Sequence, residues 1–456
     1  GGWMDSYVDA AFRMQARCDR AAERSVIVGP WSHDLPDSAR PGPTLDWLDD
    51  LTRFLDRHLR DVVRASDVDP PGDDDPPPVR WFERTWTEPT AFPERLAGRW
   101  RSAGRYPPPG RADDSWVLSG GNAPGQGTLV HPGIGGSAGA DRPSGSDSVR
   151  HRATVGTTAA LSWGAGGPPN GLGRDPRPDD AFGVTYTSPP LEKPIAILGS
   201  PEALLHVSAD APIATAVARL FDVAPDGTPC QVSAGVLDLT HRHGHVDPEP
   251  LTPDHVESIV VPLRSAGYRF EPGHRIRLTI ATQAWPVIWP SPLPVTLTIH
   301  HGPGQPSALS LPTIPLEDDA PLDPRWVREA GTDRRRAVGG GSEEPPEWRI
   351  EEDVLAGTVT VRTFEGGTTI LEDGRSLYTS ERLAMTAAHD DPAHASLESD
   401  VVYRWRERMF ATDIRATGRT TSGADDFTFD LHLEVDVDGE RFFERSWHEV
   451  VPRRLV

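Results

Sequence analysis

Asp5 and His33 are the residues whose types and spacing could do chemistry. Asp5 closes the stretch GGWMD, His33 closes GPWSH (Gly29 to His33), and 28 residues separate the two. A carboxylate beside an imidazole can accept the Nδ1 proton, fix the tautomer and stabilise the imidazolium that forms when a serine is deprotonated. The pair is two-thirds of a serine-hydrolase triad, and the spacing alone also fits a helix cap and a structural histidine.

The elements around the pair must hold both groups at one edge. From Ser6 to Arg20 the residues Tyr7, Val8, Ala11, Phe12, Met14 and Cys18 recur at helical spacing, and Ser25 to Val28 reads as a short strand. A second helix is expected from Pro43 and Thr44, with Leu45, Leu48, Leu51, Phe54, Leu55, Leu59 and Val62 on one face. Loop, helix, strand, loop and helix in this order read as the closing part of an α/β unit. Asp5 and His33 then sit at the carboxyl ends of neighbouring parallel strands, where open α/β sheets place their chemistry. The sequence starts without Met inside a strand-end loop, so an upstream part is expected to be missing.

Beyond residue 66 the composition changes. DVDPPGDDDPPP (Asp67 to Pro78) is an acidic, Pro-rich connector. Strand-like pieces follow at Val79 to Trp86 and Trp116 to Leu118, and the Gly-, Pro-, Ser- and Asp-rich stretch from Ser119 to Asp180 is expected to wrap a surface rather than form its own core. Period-two alternation then recurs at Leu204 to Val207, Ala216 to Val223, Val232 to Leu239, Ile259 to Leu263, Ile276 to Ile280 and Val295 to Ile299. Many such strands between turns predict a sandwich or jelly roll over 67–315. After a linker at 316–346, alternation at Thr358 to Phe364, Ser399 to Trp405, Asp426 to Val437 and Phe442 to Trp447 predicts a small antiparallel domain over 347–456.

Several function classes are disfavoured by composition. The 456 residues include 46 basic and 68 acidic side chains, a formal charge of −22, which argues against a nucleic-acid partner. Lys193 is the only lysine. Two cysteines, Cys18 and Cys230, suggest neither a disulfide framework nor a metal site. No apolar run approaches the ~20 residues of a membrane span, no membrane partner is expected, and a cytoplasmic location is favoured. A homo-oligomer, assembled through the final domain, is one of the open possibilities.

Taken together, the residues resemble the cocaine-esterase and X-prolyl dipeptidyl-peptidase family of serine hydrolases. GGWMD, GPWSH and FLDRHLR (Phe54 to Arg60) carry the resemblance at the start. DDAFGVTYTSPPL (Asp179 to Leu191), FDVAPDGTP (Phe221 to Pro229), FEPGHRIRLTI (Phe270 to Ile280) and HGPGQPSALSLP (His301 to Pro312) continue it in family order. The resemblance implies an α/β-hydrolase C-terminal remnant followed by an all-β jelly-roll domain, with Asp5 as triad acid and His33 as triad base. It also implies hydrolysis of small acyl esters or X-prolyl peptides through an acyl-serine, with no cofactor and no metal. The family's chain order puts the serine upstream of Gly1.

Other candidates carry less. Gly135-Gly136-Ser137-Ala138-Gly139 fits G-x-S-x-G but has no strand before it and no helix after it. Ser32 reads as a loop hydrogen-bonding residue. Trp3, Trp31, Trp285 and Trp289 are candidate walls of a substrate pocket, the last two in the loop QAWPVIWPSP, where core packing is an equal alternative. His241, His243 and His245 could share one face of a strand and ligate a metal, although a solvated strand end is the simpler reading. His300 and His301 read as structural, and Asp73 to Asp75 as a solvated linker. The rival to the hydrolase is a β-sandwich module that binds a carbohydrate or a protein.

Overall fold

The computed structural model describes residues 1–18, 23–59, 76–90, 93–123, 125–133, 144–158, 175–316, 322, 324–330 and 344–456. The chain is mostly β-sheet with few helices. One hydrogen-bonded network of 16 strands takes up the first part, and a separate antiparallel sheet of seven strands follows. Among the described residues no helix is long and apolar enough to cross a membrane.

The opening segment forms as the periodicity predicts, with shorter elements. A helix covers Val8–Arg17 and buries Val8 and Phe12, and a strand covers Val26–Val28. The second helix, Leu48–Leu59, starts later than expected. Its would-be first turn is held elsewhere, because the Leu45 amide donates to the Pro36 carbonyl (2.7 Å) and the Asp46 amide to Arg328 (2.9 Å). Leu45 is thereby buried off the helix.

Strand Val79–Arg84 connects this segment to the rest. It pairs in parallel with Val26–Val28, antiparallel with Gly98–Ala103, and meets strand Ala266–Phe270 at Arg84 and Tyr268. All six of its residues are buried, three of them charged. Burying those charges is tolerable because each is partnered. Arg80 donates to Asp50 (2.9 Å), Glu83 accepts from Arg99 (2.9 Å) and Arg101 (2.7 Å), and Arg84 donates to the Val232 carbonyl (2.8 Å).

The main core lies between the strands that follow. Thr215–Val223 is buried along its whole length because strands Pro229–Asp238 and Arg275–Ala281 flank it on both sides. Leu205, Leu220, Leu278, Ile299 and Leu309 lie in that core. Strands also run into the Gly- and Ser-rich stretch, since Ala112–Ala123, Gln126–Val130 and Gly145–Arg150 belong to the same network. Leu129 and Val149 are buried there among Gly, Ser, Thr and Asp, so one apolar residue per strand suffices when neighbouring strands supply the rest.

The second sheet is a meander in which each strand pairs with the next. Its strands are Glu347–Asp353, Thr358–Ile370, Ser376–Ala388, Ala395–Arg406, Ala411–Ser422, Asp426–Val437 and Glu440–Pro452. One end of one face, carrying Val359, Val361, Met385, Ala387 and Ala395, packs on Trp285 and Ala153 of the first unit.

Candidate active site

Two glycines let the opening loops approach each other. Gly2 and Gly29 form a parallel bridge, flanked by the Gly29 amide donating to Gly1 (3.0 Å) and the Trp3 amide donating to Gly29 (2.9 Å). A Cβ on Gly2 would lie 2.1 Å from the Trp31 carbonyl oxygen, and one on Gly29 would lie 2.3 Å from the Trp31 ring. No side chain fits at either place. The Met4 amide then donates to the Trp31 carbonyl (2.9 Å), so the two loops leave the sheet side by side.

This brings Asp5 to His33. Both carboxylate oxygens lie 3.3 Å from His33 Nδ1. The Asp5 side chain is 13% exposed and the imidazole 50% exposed, so the carboxylate sits deeper than the imidazole it contacts. Asp5 Oδ1 also accepts the Tyr7 amide at 2.9 Å, and the Tyr7 ring stands 5.3 Å from the imidazole. Among the described residues no serine hydroxyl is bonded to Nε2. The Ser32 hydroxyl is instead spent on the Arg40 carbonyl at 2.7 Å.

Sequence reasoning missed the brace behind this pair. The Arg264 guanidinium donates to the Asp5 carbonyl oxygen, and the neighbouring Ser265 amide donates to the Asp9 carboxylate at 2.6 Å. A turn 259 residues downstream thus fixes the loop that carries the acid. No local signal marks Arg264, because its partners, the Asp5 carbonyl oxygen and the Asp9 carboxylate at 3.7 Å, lie more than 250 residues away in the sequence.

The four tryptophans are engaged in packing and in hydrogen bonds to the rest of the fold. Trp3 and Trp31 are 6% and 1% exposed, and their indole N–H groups donate to the Phe82 (2.6 Å) and Pro43 (2.7 Å) carbonyls. Trp285 is 1% exposed and donates to Met385 of the second sheet (3.3 Å). Trp289 donates to Ser422 Oγ (2.9 Å) and packs edge-on to Phe427. Their large apolar surfaces go to the core and to the joint between sheets.

The histidine run is likewise not a strand face. His241 ends a 3₁₀ turn, His241 and His245 face each other through Nδ1 at 3.2 Å, and His243 is exposed. His300 bonds Ser208 (2.9 Å) and His301 lies 3.3 Å from Asp147. Among the described residues one cluster has the donor types for a metal, His432 with Glu434 and Glu444. It is solvent-facing, and Arg441 already donates to both carboxylates at 3.0 Å. The G-x-S-x-G segment at 135–139 and Asp73 to Asp75 lie outside the described residues.

The family profile of the X-Pro dipeptidyl-peptidase C-terminal non-catalytic domain matches residues 71–310. The chain belongs to this family. A putative serine esterase of Mycobacterium bovis is 28% identical over 307 residues, covering 61% of this chain and 44% of that protein. The cocaine esterase of a Rhodococcus species is 27% identical over 345 residues, covering 69% of this chain and 55% of that protein. The chain spans about half the length of these curated relatives. A crystal structure of an aminopeptidase from a marine-sediment Thaumarchaeota archaeon matches with a TM-score of 0.51 at 20% identity, over 69% of this chain and 54% of that one. That likeness concerns the fold. In this member of the X-Pro dipeptidyl-peptidase C-terminal domain family, Asp5 and His33 precede the matched segment and the seven-stranded sheet follows it.

Proposed function

We propose that the chain is the acid- and base-bearing part of a serine hydrolase of acyl esters or X-prolyl peptides, with the nucleophilic serine on polypeptide preceding Gly1. The carrying observation is the Asp5 carboxylate set on His33 Nδ1 at the ends of parallel-paired backbone. Residues 1–66 are, on this reading, the closing part of an α/β-hydrolase domain and 67–315 a jelly roll. The helix Leu48–Leu59 supports it. Leu48, Leu51, Phe54, Leu55 and Leu59 are 37–75% exposed on an amphipathic helix, an apolar face suited to the remainder of such a domain.

The chemistry follows from the geometry. Asp5 holds the imidazole in the tautomer with the proton on Nδ1, so Nε2 is free to accept the serine proton. The serine attacks the carbonyl, and the imidazolium, stabilised by Asp5, returns the proton to the leaving group. His33 then activates water to clear the acyl-serine. No cofactor enters any step. The likeness to a putative serine esterase and to a cocaine esterase supports the ester branch, and the family's name supports the prolyl branch.

The test is to assay the complete reading frame containing this chain on p-nitrophenyl esters and an X-prolyl anilide, with and without His33→Ala. Activity that collapses in the variant upholds the triad, and the better substrate gives the class. Activity indifferent to His33 would make the pair structural.

A further inference from the structure

The seven-stranded sheet ends in an edge strand, and its sequence is its own complement. Among the described residues Glu440–Pro452 pairs with Asp426–Val437 alone and is exposed over its 13 residues except at half-buried Trp447. Such an edge offers a row of unpaired backbone donors and acceptors, which proteins ordinarily blunt with lysine, proline or a bulge. Here the bulge and the proline stand only at the ends, and the charges between them, Glu444, Arg445 and Glu449, are of both signs. A register shift leaves Phe442 as an extra residue at one end, and Pro452 lies at the other. The regular stretch between them runs from Phe443 to Val451, and its midpoint is Trp447.

We propose that this strand pairs antiparallel with the same strand of a second copy about a two-fold axis through Trp447, joining two sheets into one. A two-fold interface must place residue i against j and j against i. With the axis at Trp447, one face sets Trp447 against Trp447, Arg445 against Glu449 twice, and Phe443 against Val451 twice. The opposite face sets Ser446 against His448 and Glu444 against Val450. No like charges meet, and each apolar residue of the first face meets an apolar one. An axis at Ser446 would put Phe443 against Glu449, and one at His448 would put Trp447 against Glu449. The Arg445 guanidinium lies 5.0 Å over the Trp447 ring.

The face that would become continuous is already an interface at one end. Phe427, opposite Val451, packs against Trp289, while the rows farther along remain open. Those rows carry Tyr403, Leu431 and Phe443, at 46%, 46% and 41% exposure. Antiparallel pairing sends the two docked ends in opposite directions, so the bulky first units stand at opposite ends of the joined sheet.

Charge reversal tests the register in the 456-residue chain by sedimentation velocity at tens of micromolar. The unaltered chain should sediment as a dimer. Arg445→Glu, which faces Glu449 with a like charge, and Glu449→Arg, which faces Arg445, should each weaken the dimer about tenfold or more. The double variant Arg445→Glu/Glu449→Arg restores opposite charges and should restore the dimer, which a merely misfolded chain would not do. A monomeric unaltered chain, single variants that leave the dimer intact, or a double variant that stays monomeric would overturn the proposal.

Discussion

Asp5 and His33 lie 28 residues apart and share one proton position, so the first tests belong to single side chains. Asp5→Asn in the complete enzyme keeps the size of the side chain but presents a wrong hydrogen-bond pattern to Nδ1. Steady-state kinetics should then show kcat lower by about 10⁴ with KM little changed. Asp222 offers a different test. It is fully buried, accepts from the Tyr268 hydroxyl and pairs with His274 Nδ1, both at 2.9 Å, and burial pushes its pKa up from 3.8 to about 6. The folded state therefore holds this proton more tightly than the unfolded state. Its stabilising contribution is complete below pH 3.8 and is lost as the pH rises through about 6. Urea unfolding should show the advantage of the unaltered chain over Asp222→Asn shrinking by roughly 2–3 kcal/mol between pH 4 and pH 8. The contact between Asp5 and His33 was legible because each sits in a short distinctive stretch. Arg264 was not, because a guanidinium bonded to a backbone oxygen and facing a carboxylate more than 250 residues away leaves no pattern, and the packing of Trp3 and Trp31 was not, because a sequence does not say which side of a loop its aromatics face.

At the scale of elements, the loop from Trp285 to Pro290 is the fastening of the second sheet. Trp285 inserts beneath Val359, Val361 and Met385, and Trp289 reaches Ser422 and Phe427. Removing a buried Trp side chain typically costs about 3–5 kcal/mol, and here the loss falls on the joint. Trp285→Ala should therefore release the 347–456 sheet to limited proteolysis sooner than it unfolds the first unit, which separate near-ultraviolet and fragment-mass measurements would resolve. The alternation of the long apolar strands was readable, since one buried face imposes period two. Gln126–Val130 and Gly145–Arg150 were not, because a single buried residue in each gives no period. Ala411–Ser422 escaped for a related reason: its alternation, carried by Ile414, Ala416 and Gly418, is small and shallow. Helix Leu48–Leu59 was correct in type and early in its start, since periodicity extends through Leu45 while the backbone there is bonded to Pro36 and Arg328.

Across the whole molecule, the joint between the two sheets also carries titrating groups. His151 follows the last residue of strand Gly145–Arg150, His389 follows strand Ser376–Ala388, and both are buried, at 9% and 6% exposure. His151 Nε2 lies 3.4 Å from the Ala388 carbonyl, and His389 Nε2 lies 3.2 Å from Glu352, which Arg152 also approaches at 3.5 Å. Burial is the largest cause that lowers both imidazole pKa values, and each is lowered further by a neighbouring cation, although Glu352 and Asp390 act in the opposite sense. The separated or unfolded state then binds protons that the docked state does not. Docking is at full strength above the ordinary imidazole pKa of 6.5 and weakens as the pH falls below it. Fluorescence of Trp285 and Trp289, or protease release of the second sheet, should therefore report a looser joint at pH 5.5 than at pH 7.5. Asp238, beside Arg453 at the same joint, has its pKa raised by burial and contributes with the opposite sign, so the histidine effect is read as a difference. A His151→Gln/His389→Gln variant keeps polar side chains without the charge. Its joint should show a smaller loss on acidification, and an equal loss in both proteins would assign the pH dependence to groups other than these two histidines.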